Sequence, residues 1–144
     1  MRSFDSNMSW VNALLFINIA VYLLQLIAVN YWQINLTEYF GLNPRKVVVD
    51  FHLWQPVSYM FLHSVAMKLH IIFNMYLLWI FGVPIEEKWG SKTFLRYYLF
   101  TGIGAGATIL LTNLIVAPYS YTIGASGAIF ALLLAFGLIY PDNE

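Results

Sequence analysis

Three side chains in an otherwise apolar sequence carry groups fit for chemistry. Ser126 stands in Gly-Ala-Ser-Gly at 124–127, and His70 and Asn74 bound His-Ile-Ile-Phe-Asn at 70–74. A serine hydroxyl becomes a nucleophile once a base takes its proton, and imidazole and carboxamide N–H groups are donors of the kind that stabilise an oxyanion. His70 and Asn74 are four apart and so share one face of a helix. If Ser126 opens a helix, unpaired N–H groups and the positive end of the dipole lie beside its hydroxyl. Gly124 and Gly127 then leave room for a substrate or another backbone. Each feature alone has a plainer explanation. A serine between glycines packs membrane helices, and a histidine with an asparagine one turn on can hydrogen-bond a neighbouring helix.

The elements that must position these groups are those of a membrane protein. Of 144 residues, 60% are hydrophobic and 10% charged, against about 25% charged in an average soluble domain. The net charge of zero leaves no field to gather nucleic acid. The absence of cysteine excludes thiol catalysis, disulfides and cysteine-ligated metal. Four apolar stretches, 11–30, 69–85, 93–117 and 123–140, are expected to cross a hydrocarbon core of about 30 Å. The chain is therefore expected to be one all-α, polytopic membrane domain over 1–144. The first stretch is longer than a signal-peptide core and no small-residue cleavage site follows it, so it is read as a retained anchor.

Between the first two spans, residues 31–68 are crowded with Trp, Tyr and Phe, rings that favour the membrane interface. Asn43-Pro44 marks a turn there, and Pro56 argues against one uninterrupted helix. The connection at 82–92 is short and charged, making spans two and three antiparallel neighbours, with Glu86, Glu87 and Lys88 expected in a solvated loop. Gly102 and Gly106 form a packing face on span three. Four Lys and Arg accompany the N-terminus and the second connection against three in the long loop, which favours a cytoplasmic N-terminus.

Depth joins the polar groups. Glu86 follows span two and Asp142 follows span four, so both mark the same membrane face. His70 precedes Glu86 by 16 residues and Ser126 precedes Asp142 by 16. At about 1.5 Å per residue each lies about 24 Å from that face, with Asn74 one turn deeper. A helix that starts at Ser126 is too short to span alone, so the chain ahead of it must enter the membrane as irregular backbone. Such backbone survives only when buried in protein or lining a wet cavity, and Asn113, Ser120 and Thr122 are expected to help hydrate that cavity.

Other constellations fail. His52, His63 and His70 lack the His-Glu-x-x-His spacing of a zinc site. Gly-Ala-Ser-Gly-Ala is not the soluble hydrolase elbow, because Ala128 stands where its last glycine belongs and no alternation of strand and helix surrounds it.

Taken together, these motifs resemble those of the rhomboid intramembrane serine proteases. His70 and Asn74 carry the family's His-x-x-x-Asn, and Gly82, Glu86 and Gly90 its Gly-x-x-x-Glu-x-x-x-Gly. Gly124-Ala125-Ser126-Gly127 carries its Gly-x-Ser-Gly, while Phe-Gly-Leu-Asn-Pro at 40–44 and the stretch at 53–63 are similar to its long first loop. The resemblance covers nearly the whole chain and implies a six-span bundle of which four spans lie here. It implies Ser126 as nucleophile, with His70, Asn74 and the Ser126 backbone N–H holding the oxyanion and Gly124 shaping the oxyanion loop. It also implies no metal or organic cofactor, substrates that are transmembrane segments of other proteins, and a bacterial inner-membrane location.

The chain departs from the family pattern twice. Trp54-Gln55 replaces the common Trp-Arg, and the general-base histidine of the sixth span has no counterpart, since His52 and His63 precede span two. Loss of such a base costs on the order of 10⁶ in turnover, so these 144 residues alone are expected to be inactive without the missing C-terminal spans. Asp142-Asn143-Glu144 would lie in the fourth connection. The alternative is a non-proteolytic rhomboid-like protein that binds or escorts transmembrane clients, which has no requirement for the Ser126 hydroxyl. A purely structural membrane protein leaves the shared depth unexplained.

Overall fold

The computed structural model describes residues 9–141. Its helices are α1 (Trp10–Tyr31), α2 (Thr37–Phe40), α3 (Pro44–Val48), α4 (Gln55–Ser58), α5 (Lys68–Trp89), α6 (Ser91–Val116) and α7 (Ser126–Ile139), with a 3-10 turn at Tyr59–Phe61. No strand occurs among the described residues beyond an isolated bridge between Leu42 and Thr122. Helices α1, α5 and α6 are long and apolar enough to cross a membrane, and they match the first three expected spans to within four residues. Their outer faces are apolar too: Phe16, Phe100 and Ile115 are 73%, 80% and 87% exposed. Helices that are apolar all round belong in lipid.

Helix α5 is the hub, packed against α1, α6 and α7. Leu14, Leu78, Ile85, Phe94 and Leu132 meet in the core between them. Long-loop residues fill the glycine face of α6. A Cβ on Gly106 would lie 2.7 Å from the Tyr59 ring, and one on Gly102 would collide with Met60. The Tyr59 hydroxyl donates to the Gly102 carbonyl at 2.6 Å. Gly102 and Gly106 do serve packing, with side chains of the loop as their chief partners.

The fourth expected span differs. Helix α7 has 14 residues, a length of about 21 Å, and the chain at 117–125 ahead of it is irregular. The second connection is also shorter than expected. Helix α5 runs through Pro84 to Trp89, and Gly90 alone, at φ +83°, turns the chain into α6. That backbone conformation is open to glycine at little steric cost.

Glu86 corrects the expectation of a solvated loop. It sits inside α5, only 7% exposed, while Glu87 and Lys88 face out. Its carboxylate accepts from the Ser9 hydroxyl at 2.8 Å and from the backbone N–H groups of Trp10 at 2.7 Å and Val11 at 3.0 Å. Those N–H groups belong to the first turn of α1 and have no intrahelical acceptor. One turn earlier, Gly82 leaves room for Val11, whose side chain would lie 3.0 Å from a Cβ there. Gly82 and Glu86 thus dock the start of α1 on α5. The acid chosen as the second depth marker, Asp142, and the proposed fourth connection at 142–144 lie outside the described residues.

Candidate active site

The irregular chain at 117–125 meets the demand for paired backbone through the long loop. Thr122 N–H donates to the Leu42 carbonyl at 3.0 Å and Leu42 N–H to the Thr122 carbonyl at 2.9 Å. Arg45 N–H reaches the Pro118 carbonyl at 3.1 Å, and the Asn43 amide the Tyr119 carbonyl at 3.1 Å. Asn43 also caps α3, its Oδ1 accepting from Lys46 N–H at 3.0 Å, with Pro44 in the first turn. Gln55, fully buried, accepts from Asn43 N–H at 3.0 Å and donates to the Tyr39 carbonyl at 3.1 Å. Here the Gln55 carboxamide cross-links two segments of the long loop.

At the end of this stretch Gly124 N–H donates to the Tyr59 carbonyl at 2.9 Å, and the residue adopts φ +117°. A side chain would be strained there. Helix α7 follows, its first ladder bond running from Ile129 N–H to the Ala125 carbonyl. The N–H groups of Ser126, Gly127 and Ala128 precede the ladder. Ser126 is exposed and, with Asn74, lines a cavity of about 180 Å³ between α5 and α7, walled by Phe73, Leu77, Phe130 and Leu133. No charged side chain lines it.

His70, in the first turn of α5, packs directly on the glycine. A Cβ on Gly124 would lie 2.8 Å from His70 Nε2 and 3.0 Å from Cε1. The other ring nitrogen, Nδ1, accepts from the Ser64 backbone N–H at 3.2 Å. In a neutral imidazole that bond assigns the proton to Nε2. Asn74 donates one amide hydrogen to the His70 carbonyl at 2.7 Å and keeps a second. The fold therefore brings His70, Asn74, Gly124 and Ser126 together, although 49 residues of chain lie between Asn74 and Gly124.

Other residues singled out in the sequence lie elsewhere. Asn113, Ser120 and Thr122 do not line this cavity. Asn113 donates to the Ser120 hydroxyl at 3.3 Å, and that hydroxyl to the Ala117 carbonyl at 2.8 Å, closing the turn after α6. Gly127 faces α6, where a Cβ would lie 2.6 Å from that of Ala105. His52 stacks on Trp54. His63, in the long loop, is fully buried, its ring centroid 5.1 Å from that of His70 and both ring nitrogens unpartnered among the described residues. Burial first, and the neighbouring His70 second, push its pKa down to about 4, so the ring is neutral. Among the described residues no three His, Asp or Glu side chains converge as a metal site.

Sequence reasoning missed Gln25. It is 3% exposed on α1 and grips the backbone of His63. A polar amide in the middle of an apolar span was the available signal.

The fold and site define an integral membrane protein, a helical bundle in which a serine opens a short helix reached through irregular chain paired to the long loop. The Rhomboid domain family model matches residues 50–144. The chain is 31% identical to the rhomboid protease GluP of Bacillus subtilis over 90% of its own length and 25% of the relative's. It is 32% identical to Rhomboid-like protein 11, chloroplastic, of Arabidopsis thaliana, covering 83% of this chain and 38% of that one. RHOMBOID-like protein 2 of the same plant shares 36% identity over 68% of this chain and 29% of its own length. The chain belongs to the rhomboid family. It spans between a quarter and two-fifths of the length of these relatives.

Proposed function

We propose that the complete protein is an intramembrane serine endopeptidase that cuts transmembrane segments of other membrane proteins, and that residues 1–144 carry its nucleophile and oxyanion half. The observation that carries this reading is the placement of His70 Nε2 over Gly124, two residues ahead of Ser126, with Asn74 on the same cavity as the serine.

In the reaction, Ser126 Oγ attacks the scissile carbonyl carbon while a histidine outside residues 1–144 takes the hydroxyl proton. Negative charge moves to the carbonyl oxygen, where the His70 Nε2–H, the free Asn74 amide hydrogen and the Ser126 backbone N–H can receive it. Each well-aimed donor is worth about 3 kcal/mol in a water-poor site. The C–N bond then breaks, the amine leaves with the proton from the base, and water hydrolyses the Ser126 ester by the same route. No histidine of this chain fills the role of base on this reading, because His63 lies buried behind His70 and His52 stacks in the long loop.

The apolar walls of the cavity suit an apolar substrate side chain. A peptide must unwind locally to present its carbonyl, so helix-destabilising residues at the cut favour cleavage. Cleavage of a transmembrane reporter by the complete protein in lipid vesicles tests the proposal. Cleavage lost in Ser126→Ala supports it, whereas equal cleavage by Ser126→Ala contradicts it. Residues 1–144 expressed alone are expected to give no turnover.

On this reading the protein lies in a bacterial inner membrane with its N-terminus in the cytoplasm. Residues 1–144 have no cysteine, so a Lys92→Cys label, read against the protein without that substitution, reports the side of the α5–α6 turn. A membrane-impermeant maleimide added to intact cells is expected to leave it unlabelled, and labelling would reverse the orientation.

A further inference from the structure

We propose that Gln25, on α1, is a positioning residue for the oxyanion site: by gripping the backbone of His63 it holds the Ser64 N–H against His70 Nδ1 and keeps the His70 proton on Nε2, facing Gly124. The inference rests on the proposed role of His70 and extends it to a helix that contributes no residue to the lining of the Ser126 cavity.

Burying an unpaired carboxamide costs several kcal/mol, and Gln25 avoids that cost with a two-point bond to one residue. Its Nε2 donates to the His63 carbonyl at 2.9 Å, and His63 N–H donates to its Oε1 at 3.0 Å. One residue later, Ser64 N–H reaches His70 Nδ1 at 3.2 Å. Among the described residues, these are the only hydrogen bonds reaching the backbone of residues 63–66 from outside that segment. The segment joins the 3-10 turn to α5 with no regular structure of its own, so its position is set by the grip of Gln25 and by the packing of the His63 ring. The ring of His63 offers His70 no hydrogen bond and so cannot choose its tautomer. Ser64 can, because an N–H aimed at Nδ1 requires that nitrogen to be the unprotonated one.

The test reads the tautomer directly. The complete protein, labelled with ¹⁵N-histidine in lipid nanodiscs, gives ring nitrogen signals for His70 that are assigned by their loss in His70→Gln. Wild type is expected to show Nε2 protonated and Nδ1 bare. Gln25→Met removes both bonds to His63 and is expected to move a large share of His70 to the Nδ1–H form. The same change is expected to slow acylation of Ser126 by a fluorophosphonate on the order of ten- to a hundred-fold, less than the roughly 10²–10³ lost with a whole donor.

Gln25→Glu is the rescue. A buried carboxyl stays protonated, donates its O–H to the His63 carbonyl, accepts from His63 N–H, and is expected to restore the wild-type ring signals. Gln25→Asn, which withdraws the amide by one methylene, takes the place of Gln25→Met if that variant does not fold. Wild-type ring signals in a folded Gln25→Met or Gln25→Asn, or failure of a folded Gln25→Glu to restore them, overturn the proposal. The ring signals do not depend on turnover, so a protein with no Ser126-dependent acylation defeats the proteolytic reading and leaves this test standing.

Discussion

One methyl group added at Gly124 acts on both the fold and the proposed chemistry. The residue holds φ +117°, a region that costs other residues about 1–3 kcal/mol. The new Cβ would also lie 2.8 Å from His70 Nε2 and 3.0 Å from Cε1, closer than side-chain atoms tolerate. The ring cannot simply swing away, because Nδ1 is tied to Ser64 N–H at 3.2 Å, a bond worth about 1 kcal/mol. Together these predict that Gly124→Ala lowers stability by about 2–4 kcal/mol. Displacing one oxyanion donor also predicts a fall in acylation rate on the order of 10²–10³. Gly137, within α7, is the control: a Cβ there meets nothing within 4 Å, and Gly137→Ala is expected to be neutral or to stabilise by up to about 1 kcal/mol. The assay is fluorophosphonate acylation of the complete protein, with a thermal melt in the same micelles. Wild-type acylation by Gly124→Ala would refute the packing of His70 on this glycine as the source of the oxyanion geometry.

Two further predictions concern the elements around the site. Glu86→Ala leaves the Ser9 hydroxyl and the Trp10 and Val11 N–H groups without their acceptor, and a loss of about 2–4 kcal/mol is expected. Glu86→Gln, which keeps one acceptor oxygen, is expected to lose less, and unchanged melts for both would contradict the docking of α1 through this carboxylate. His63 predicts a dependence on pH. Its folded pKa is depressed to about 4 from an ordinary value of about 6.5, so between these values the unfolded chain binds the extra proton and stability rises with pH. The contribution is fully present above about pH 6.5 and is lost as pH falls toward 4, by at most about 3 kcal/mol. His63→Phe should flatten that window of the stability profile, and an identical slope in wild type and variant would show that another group is responsible.

The sequence made the long helices legible because a membrane span is a matter of length and hydropathy, and those properties are written locally in α1, α5 and α6. The apolar pattern puts the fourth span at 123–140, and the start of α7 at Ser126 enters the sequence reading only as a condition, because Thr122, Ile123 and Gly124 do not by themselves mark the helix start. The shared depth of His70 and Ser126 rests on counting turns against two acids, of which Glu86 lies in the last turns of α5 and not in open loop, while Asp142 lies outside the described residues. Glu86 itself was misread because its neighbours Glu87 and Lys88 are exposed and no local pattern reveals an α1 terminus 75 residues away in sequence. The bridge between Leu42 and Thr122 was invisible for a different reason. It joins backbone to backbone, and backbone pairing leaves little trace in residue type. The burial of the His63 ring beside His70 is not legible in its loop neighbours, because the bonds that fix its backbone come from Gln25, 38 residues earlier in sequence.

The central claim is that Ser126 is a hydroxyl made reactive by this pocket, and mapping of a covalent adduct tests it most directly. The complete protein, treated with a fluorophosphonate in lipid and digested for mass spectrometry, is predicted to carry the phosphonyl group on Ser126. The adduct is predicted to be absent from Ser126→Ala and to form more slowly in His70→Ala. A phosphonyl group on any other residue, or adduct formation that persists in Ser126→Ala, would contradict the account.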